Sequence, residues 1–289
     1  MAARATVEAL LRDRKLDRTL TSALPECPGE DAVSPLGVEA LDRGLAGGLP
    51  RGHVSEVVGP ASSGRTSLAW AAMAAATRRG EYVALVDTFD RFDPPTAAAC
   101  GIDLARLLWV RGQAVSKTSG AVDPAWLPGV RAVGGPGTFV ERVIDRALKS
   151  LNLVVQSGVC TLVVIDLIDV PANALRRLPA ATWFRIERAI EGSATAVLIL
   201  AAIPVARSSG GKSIVLGGEN PTRSALPTGS ALPTSDALPT SSASRQVLWK
   251  GNHDRTRRLG GVRTSAGISA ARSSQVRHVG FETALINAG

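Results

Sequence analysis

The sequence predicts an α/β fold, a mostly parallel sheet covered by helices on both faces, with basic strands added near the C-terminus. Three observations carry that expectation. Short, almost uninterrupted apolar runs recur between residues 53 and 203, among them "YVALVD", "CTLVVID" and "TAVLILAAI", and strands buried on both faces need that composition. Helical segments stand between the runs, as expected where crossover helices join parallel strands. One strand-to-helix junction, "GPASSGRTSL" at 59–68, follows the phosphate-loop pattern G-x-x-x-x-G-K-[ST] in all but one position.

The elements are justified in chain order. Within residues 1–24, Val7, Leu10, Leu11 and Leu16 recur at roughly helical spacing among charged residues, which predicts an amphipathic helical arm. "PECPGEDAVSP" is linker-like, so the arm and its linker are assigned to 1–34 and a core to 35–206. "HVSEVV" (53–58) reads as a strand, and "TSLAWAAMAAATRR" (66–79) as an Ala-rich helix stopped by Gly80. "YVALVD" (82–87) and "LLWV" (107–110) are further strands. A Gly/Pro-rich stretch then leads to the helix "TFVERVIDRALKSLNLVVQ". "CTLVVID" (160–166) is a strand ending in an acid, "TWFRIERAIEG" (182–192) a helix, and "TAVLILAAI" (195–203) a strand. From 207 to 244 the chain is rich in Ser, Gly, Thr and Pro and repeats "ALPT" three times. That composition predicts a low-complexity mobile loop without a packed core. Residues 245–289 are basic, and "RQVLWKG" and "SQVRHVGFE" read as strands completing the core.

Composition bounds the function classes. Lys and Arg exceed Asp and Glu by 33 to 25, a net charge of +8, compatible with a polyanionic partner such as nucleic acid. The three cysteines, Cys27, Cys100 and Cys160, have neither disulfide-framework nor zinc spacing. His53, His253 and His278 are scattered, with no metal spacing. No secretory h-region is visible, and the longest apolar run, "AVLILAAIPVA", is too short to span a bilayer. A cytoplasmic protein without membrane contact is the expectation.

The chemistry concentrates in the loop. Its backbone N–H groups would wrap phosphates at a helix N-terminus, so Gly59, Pro60, Ala61, Ser62, Ser63, Gly64, Arg65, Thr66 and Ser67 form the candidate nucleotide site. Thr66 stands where a hydroxyl ligates Mg²⁺, and Asp166, ending "LVVID", is placed to hold the same ion through water. Arg65 replaces the lysine. It keeps the charge in a longer, planar fork that can hold phosphate bidentately but cannot act as the lysine's point charge. ATP with Mg²⁺ is therefore the candidate cofactor. Asp87 and Asp90 are read as a strand-end residue and a turn residue, with a metal or acid pair as the less favoured alternative.

From about 35 to 203 the sequence resembles the RecA/RadA recombinase family. The run "SPLGVEALDRGLAGGLPRGHVSEVVGPASSGRTSL", the stretch "LVDTFDRFDP" with "GIDLARLLWV", and "LVVIDLIDV" carry the likeness in collinear order. The resemblance implies a RecA-like phosphate-loop core. It also implies where the chemistry departs. The family's hydrolytic glutamate aligns with Phe89, its adenine-stacking tyrosine with a small residue near Thr96, and its phosphate-sensing glutamine with Ala201 or Ala202. An apolar residue cannot orient a water, so efficient hydrolysis and a catalytic set are not expected.

That pattern of losses looks like the ImuA group, RecA-like accessory proteins of damage-induced, SOS-type translesion synthesis. The likeness implies error-prone DNA polymerase subunits or the RecA recombinase as partners, with single-stranded DNA and homo-oligomers as further expectations. The alternative is an ATP-binding, DNA-dependent recombinase or recombinase paralogue. A signalling-type ATPase of the same fold shares only the core. By alignment with the family's two DNA loops, Arg176 and Arg177, then Arg207, Lys212 and Arg223, are the candidate DNA contacts, against a solvated insertion as the plain reading. Trp249 beside Lys250 reads as a core or edge residue more readily than as a base-stacking platform.

Overall fold

The central strands form because β-branched and aliphatic residues run without interruption, and buried parallel pairing is the arrangement that covers both of their faces. The structure, a computed structural model, describes residues 32–112, 139–206, 210–217, 246–250, 258–270 and 276–284. In chain order its first half comprises β1 (Val33–Ser34), α1 (Glu39–Gly44), β2 (Leu49–Pro50), β3 (Val54–Val58), α2 (Arg65–Arg78), β4 (Val83–Asp87), α3 (Pro94–Ala99), a 3-10 turn (Leu104–Arg106) and β5 (Leu107–Arg111). The second half comprises α4 (Phe139–Ser157), β6 (Leu162–Asp166), α5 (Ala172–Arg177), α6 (Ala180–Ile190), β7 (Ala196–Ala201), β8 (Lys212–Leu216), β9 (Gln246–Lys250), β10 (Arg258–Ala270) and β11 (Arg277–Ala284).

The main sheet runs β11-β10-β8-β3-β7-β6-β4-β5, with β9 also on β10. From β8 to β5 every pairing is parallel, and β10 is antiparallel to β8, β9 and β11. The α/β architecture with helices on both faces is thus the one expected from sequence, and the basic strands do extend the sheet. Alternation sorts the core into two layers. On one face Leu162, Val164 and Leu198 pack with Leu68 and Met73 of α2; on the other Val163, Ile165 and Val197 pack with Ile144 and Leu151 of α4 and Trp183 of α6. Small side chains on α2, among them Ala69, Ala72 and Ala76, are fully buried and let that helix lie close to the sheet.

Register decides what the sheet presents. Asp87 pairs across β4 and β6 with Asp166, which pairs in turn with Leu200 of β7, and Ala201 pairs with Val58 of β3. The two strand-end acids and the root of the phosphate loop therefore meet at the carboxyl edge, where open parallel sheets bind ligands.

One expectation needs correction. The stretch predicted as a mobile loop from 207 contains β8, whose Ile214 and Leu216 are fully buried between β3 and β10. A single side chain explains how it docks. Glu56 of β3 is 3% exposed. Its carboxylate accepts from the Val205 and Ala206 amides at 2.8 and 2.9 Å and from the Ser213 hydroxyl at 2.8 Å. The chain leaving β7 and the strand β8 are thereby fastened to the same acid. The "ALPT" repeats and the arm of 1–24 lie outside the described residues. No described helix is long and apolar enough to cross a membrane.

Candidate functional site

The loop owes its shape to two residues of left-handed backbone, Ser62 at φ 58° and Gly64 at φ 98°. Glycine is the residue that adopts such a conformation without strain. Gly59 is required for a different reason: a Cβ there would stand 2.5 Å from the Leu216 carbonyl oxygen and 2.7 Å from Ser63 Oγ. β8 therefore forms the floor under the loop, a role that its place in a Ser/Gly-rich stretch did not announce. Gly64 is the N-cap of α2, with no side-chain cap and no acid in the helix's first turn. The leading N–H groups of this 14-residue helix consequently face an open cleft, the arrangement that favours anions.

That cleft, of about 360 Å³, is lined by the loop from Ser62 to Leu68, by Ile168, and by Thr264 and Phe281 of β10 and β11. Sequence reasoning missed Thr264 and Phe281, because only the antiparallel register of the C-terminal strands carries them to the loop. A second cleft of about 530 Å³ lies along α2 and is lined by Thr66, Asp87, Arg91, Asp166 and Asp169 among others. Thr66 is exposed and borders both. Pro60, Ala61, Ser62 and Ser67 are exposed as well.

Arg65 is the unusual member. It is 5% exposed, and its Nη1 is buried without a hydrogen-bond partner. Burial pushes the guanidinium below its ordinary value, while attraction to Asp166 and Asp169 opposes the shift. Ser63, 4% exposed, also has a buried hydroxyl with no partner. Two unsatisfied donors in one loop are uncommon, since buried polar groups are normally paired.

The acids divide sharply. Asp87 is held from within the fold: its carboxylate accepts from the Arg91 and Phe92 amides at 2.9 and 2.8 Å and from Trp109 Nε1 at 3.2 Å. Asp90, at φ 57°, pairs bidentately with Arg111 at 2.9 and 2.8 Å, which holds its carboxyl below the usual range. The strand-end and turn readings of these two residues therefore hold. No cluster of three or more His, Cys, Asp or Glu that could hold a metal occurs among the described residues. Asp166 accepts one bond, from the Ile168 amide at 2.9 Å. Burial pushes its carboxyl up to about 6, with Asp87 and Asp169 adding to the rise and Arg65 opposing it.

The sign of that shift makes a prediction. The folded state holds a proton on Asp166 that the unfolded chain releases near pH 4, so this group's contribution to stability falls as pH rises from about 4 to about 6. Asp166→Asn is expected to stabilise the free protein by about 1–3 kcal/mol at pH 8 and by almost nothing at pH 4. Thermal melts of both proteins across that range check it; an equal gain at both pH values would contradict it.

The remaining expected positions are dispersed. Phe89 is 3% exposed and packed into the apolar layer beneath α4 and α6. Ala201 is fully buried, and Ala202 lies just past the end of β7. Thr96 lies in the first turn of α3, its amide and hydroxyl both donating to the carboxylate of the N-cap Asp93. Arg176 is exposed on α5, whereas Arg177 pairs with Glu141 of α4 at 3.5 Å. Lys212 begins β8, its amide donating to Ser55 Oγ at 3.1 Å, so it stands on the sheet and not in a loop as expected. Arg207 and Arg223 lie outside the described residues.

Residues 30–118 match the family described as the RecA N-terminal domain. Over those residues the chain is similar to that domain. Protein RecA of Salinispora tropica is 38% identical over 138 residues, covering 47% of this chain and 31% of that protein. Protein RecA of Chlorobaculum tepidum is 36% identical over 151 residues, 44% of each chain. Over 74 residues identity to Protein RecA of Prochlorococcus marinus (strain MIT 9303) reaches 47%, covering 26% of this chain and 20% of the relative. The chain thus spans less than half the length of these curated relatives. The match begins before β1 and takes in the phosphate loop, α2 and β4.

Proposed function

We propose that the protein is a RecA-like DNA-repair accessory factor of the ImuA kind, one that holds a nucleoside triphosphate at its loop without turning it over efficiently. The observation that carries this reading is Phe89. Where the family places its hydrolytic glutamate, this chain has an aromatic ring buried in the core, 3% exposed. No carboxylate stands there to orient a water, and general-base assistance of that kind contributes about 10²–10⁴-fold. The neighbouring acid, Asp87, has its oxygens committed to two amides and an indole. Ala201, at the strand end where the family's phosphate sensor falls, carries no group that could report a γ-phosphate. What remains is a loop and a helix N-terminus, sufficient for binding.

On this reading the partners are error-prone polymerase subunits or the RecA recombinase, and exposed Arg176 together with the basic strands offers contact to single-stranded DNA. The expected result is ATP hydrolysis that stays at background when single-stranded DNA is added. A DNA-stimulated turnover comparable to that of an active recombinase would overturn the accessory reading and support a recombinase instead. A pull-down from DNA-damaged cells then separates the partners: polymerase subunits in the eluate support the translesion role, and a recombinase filament alone supports a paralogue that regulates it.

A further inference from the structure

We propose that the base of the nucleotide held at the phosphate loop lies against the C-terminal strands, in the cleft that the loop itself opens on. Phe281 and Val38 are its apolar walls, and Thr264 is the polar group that meets its edge. This rests on the triphosphate-holding reading above and places the part of the ligand that the loop does not touch.

The family likeness puts the base against a residue near Thr96, and that position is already engaged. Thr96 lines neither cleft, and its amide and hydroxyl both donate to Asp93. A base carried on the loop's phosphates needs another wall, and Thr66 borders two clefts that could supply one. In the second cleft the rings are taken up by each other. Phe92 meets Trp70 edge-on with ring centres 5.9 Å apart, and Trp109 at 5.2 Å. Asp87, Asp166, Asp169 and Arg91 share that lining, a charged surface whose desolvation by a neutral base is unfavourable.

The first cleft is built differently. Thr264 and Phe281 are direct partners in the antiparallel pairing of β10 and β11, so the hydroxyl and the ring stand side by side on one face. Both line the cleft, at 6% and 8% exposure. Val38, the N-cap of α1, and Ala71 of α2 continue the apolar lining. Among the described residues that line it outside the loop, Thr264 alone is polar. Apolar walls with few polar groups are what small-ligand sites present, and the volume of about 360 Å³ suits them. A hydroxyl both donates and accepts, so Thr264 can meet a ring nitrogen or an exocyclic amine. The loop end of the same cleft carries two buried donors without partners, Arg65 Nη1 and Ser63 Oγ. Phosphates that answer those donors at the start of α2 leave the base to continue toward Phe281 within one space.

The experiment compares equilibrium binding of ATP and of inorganic tripolyphosphate to the full chain, both with Mg²⁺ present. ATP is expected to bind at least about tenfold more tightly, because only ATP carries a base. Ala71→Leu, which puts a larger side chain into the cleft, is expected to weaken ATP at least about tenfold and tripolyphosphate by less than about threefold. A 2-azido-ATP photoprobe on the native protein is expected to label peptides that carry Val38 or Phe281. Label at Trp70 or Phe92 would overturn this placement and leave the triphosphate reading standing. Equal affinity for ATP and tripolyphosphate, or an Ala71→Leu protein that binds ATP as the native one does, would do the same. No binding of either compound would overturn both. The photoprobe needs no variant, so the placement stays testable even if Ala71→Leu perturbs folding.

Discussion

Phe89→Glu, the substitution that would restore the family's hydrolytic carboxylate, is expected to unfold the protein instead of activating it. The ring lies in the apolar layer with Val86, Val143 and Trp183, beneath α4 and α6. Removing a buried phenyl ring costs about 3–5 kcal/mol. An unpaired carboxylate in the same space adds several kcal/mol more, or stays protonated and useless as a base. Against a total stability of about 5–15 kcal/mol, that loss takes most of the folded population's margin. Urea denaturation should show the midpoint collapsing, and Phe89→Leu should retain most of the stability. A folded Phe89→Glu protein that hydrolyses ATP would show that position 89 faces the nucleotide, contrary to its packing.

The second large effect belongs to Glu56. Glu56→Ala leaves the Val205 and Ala206 amides and the Ser213 hydroxyl without their acceptor in a buried site. Each orphaned donor costs about 1–3 kcal/mol, partly offset by no longer burying a carboxylate, for a net loss of about 3 kcal/mol. Because β8 forms the floor under Gly59, the damage should reach the loop, and amide exchange in 205–216 and 59–66 should rise together. Burial holds the Glu56 carboxyl above its ordinary value of 4.5. The folded state therefore keeps a proton there that the unfolded chain has released, and the group's contribution declines as pH climbs above about 4.5. The deficit of Glu56→Ala should accordingly be larger at pH 4 than at pH 7. A deficit that grows with pH would mean that Glu56 is held by its hydrogen bonds more strongly than burial penalises it.

Legibility in this chain followed the range of the interactions. Strands β3, β4, β6 and β7, helices α2, α4 and α6, and the loop at 59–67 each declare themselves within a window of a dozen residues, through apolar runs, helical periodicity or glycine spacing. β8 could not be read in that way. "KSIVL" is five residues long, set among glycines and serines, and it becomes a strand only because β3 and β10 flank it and Glu56 fastens its Ser213. The short helices α1, α3 and α5 are six residues each and were likewise missed, being held by tertiary packing more than by their own propensity.

The site divides along the same line. The amino-acid order alone determined that a loop with glycines at 59 and 64 and an arginine at 65 follows a strand, and that an aspartate ends another. Tertiary structure decided the rest. It placed Asp166 beside Asp87 through parallel register, spent Asp87 on the turn amides and Trp109, and turned Phe89 into the core. It also buried Arg65 with a donor unpaired. Charge is a property of a residue, but the cost of burying it and the partner that answers it are set by neighbours far away in sequence, which no local pattern records.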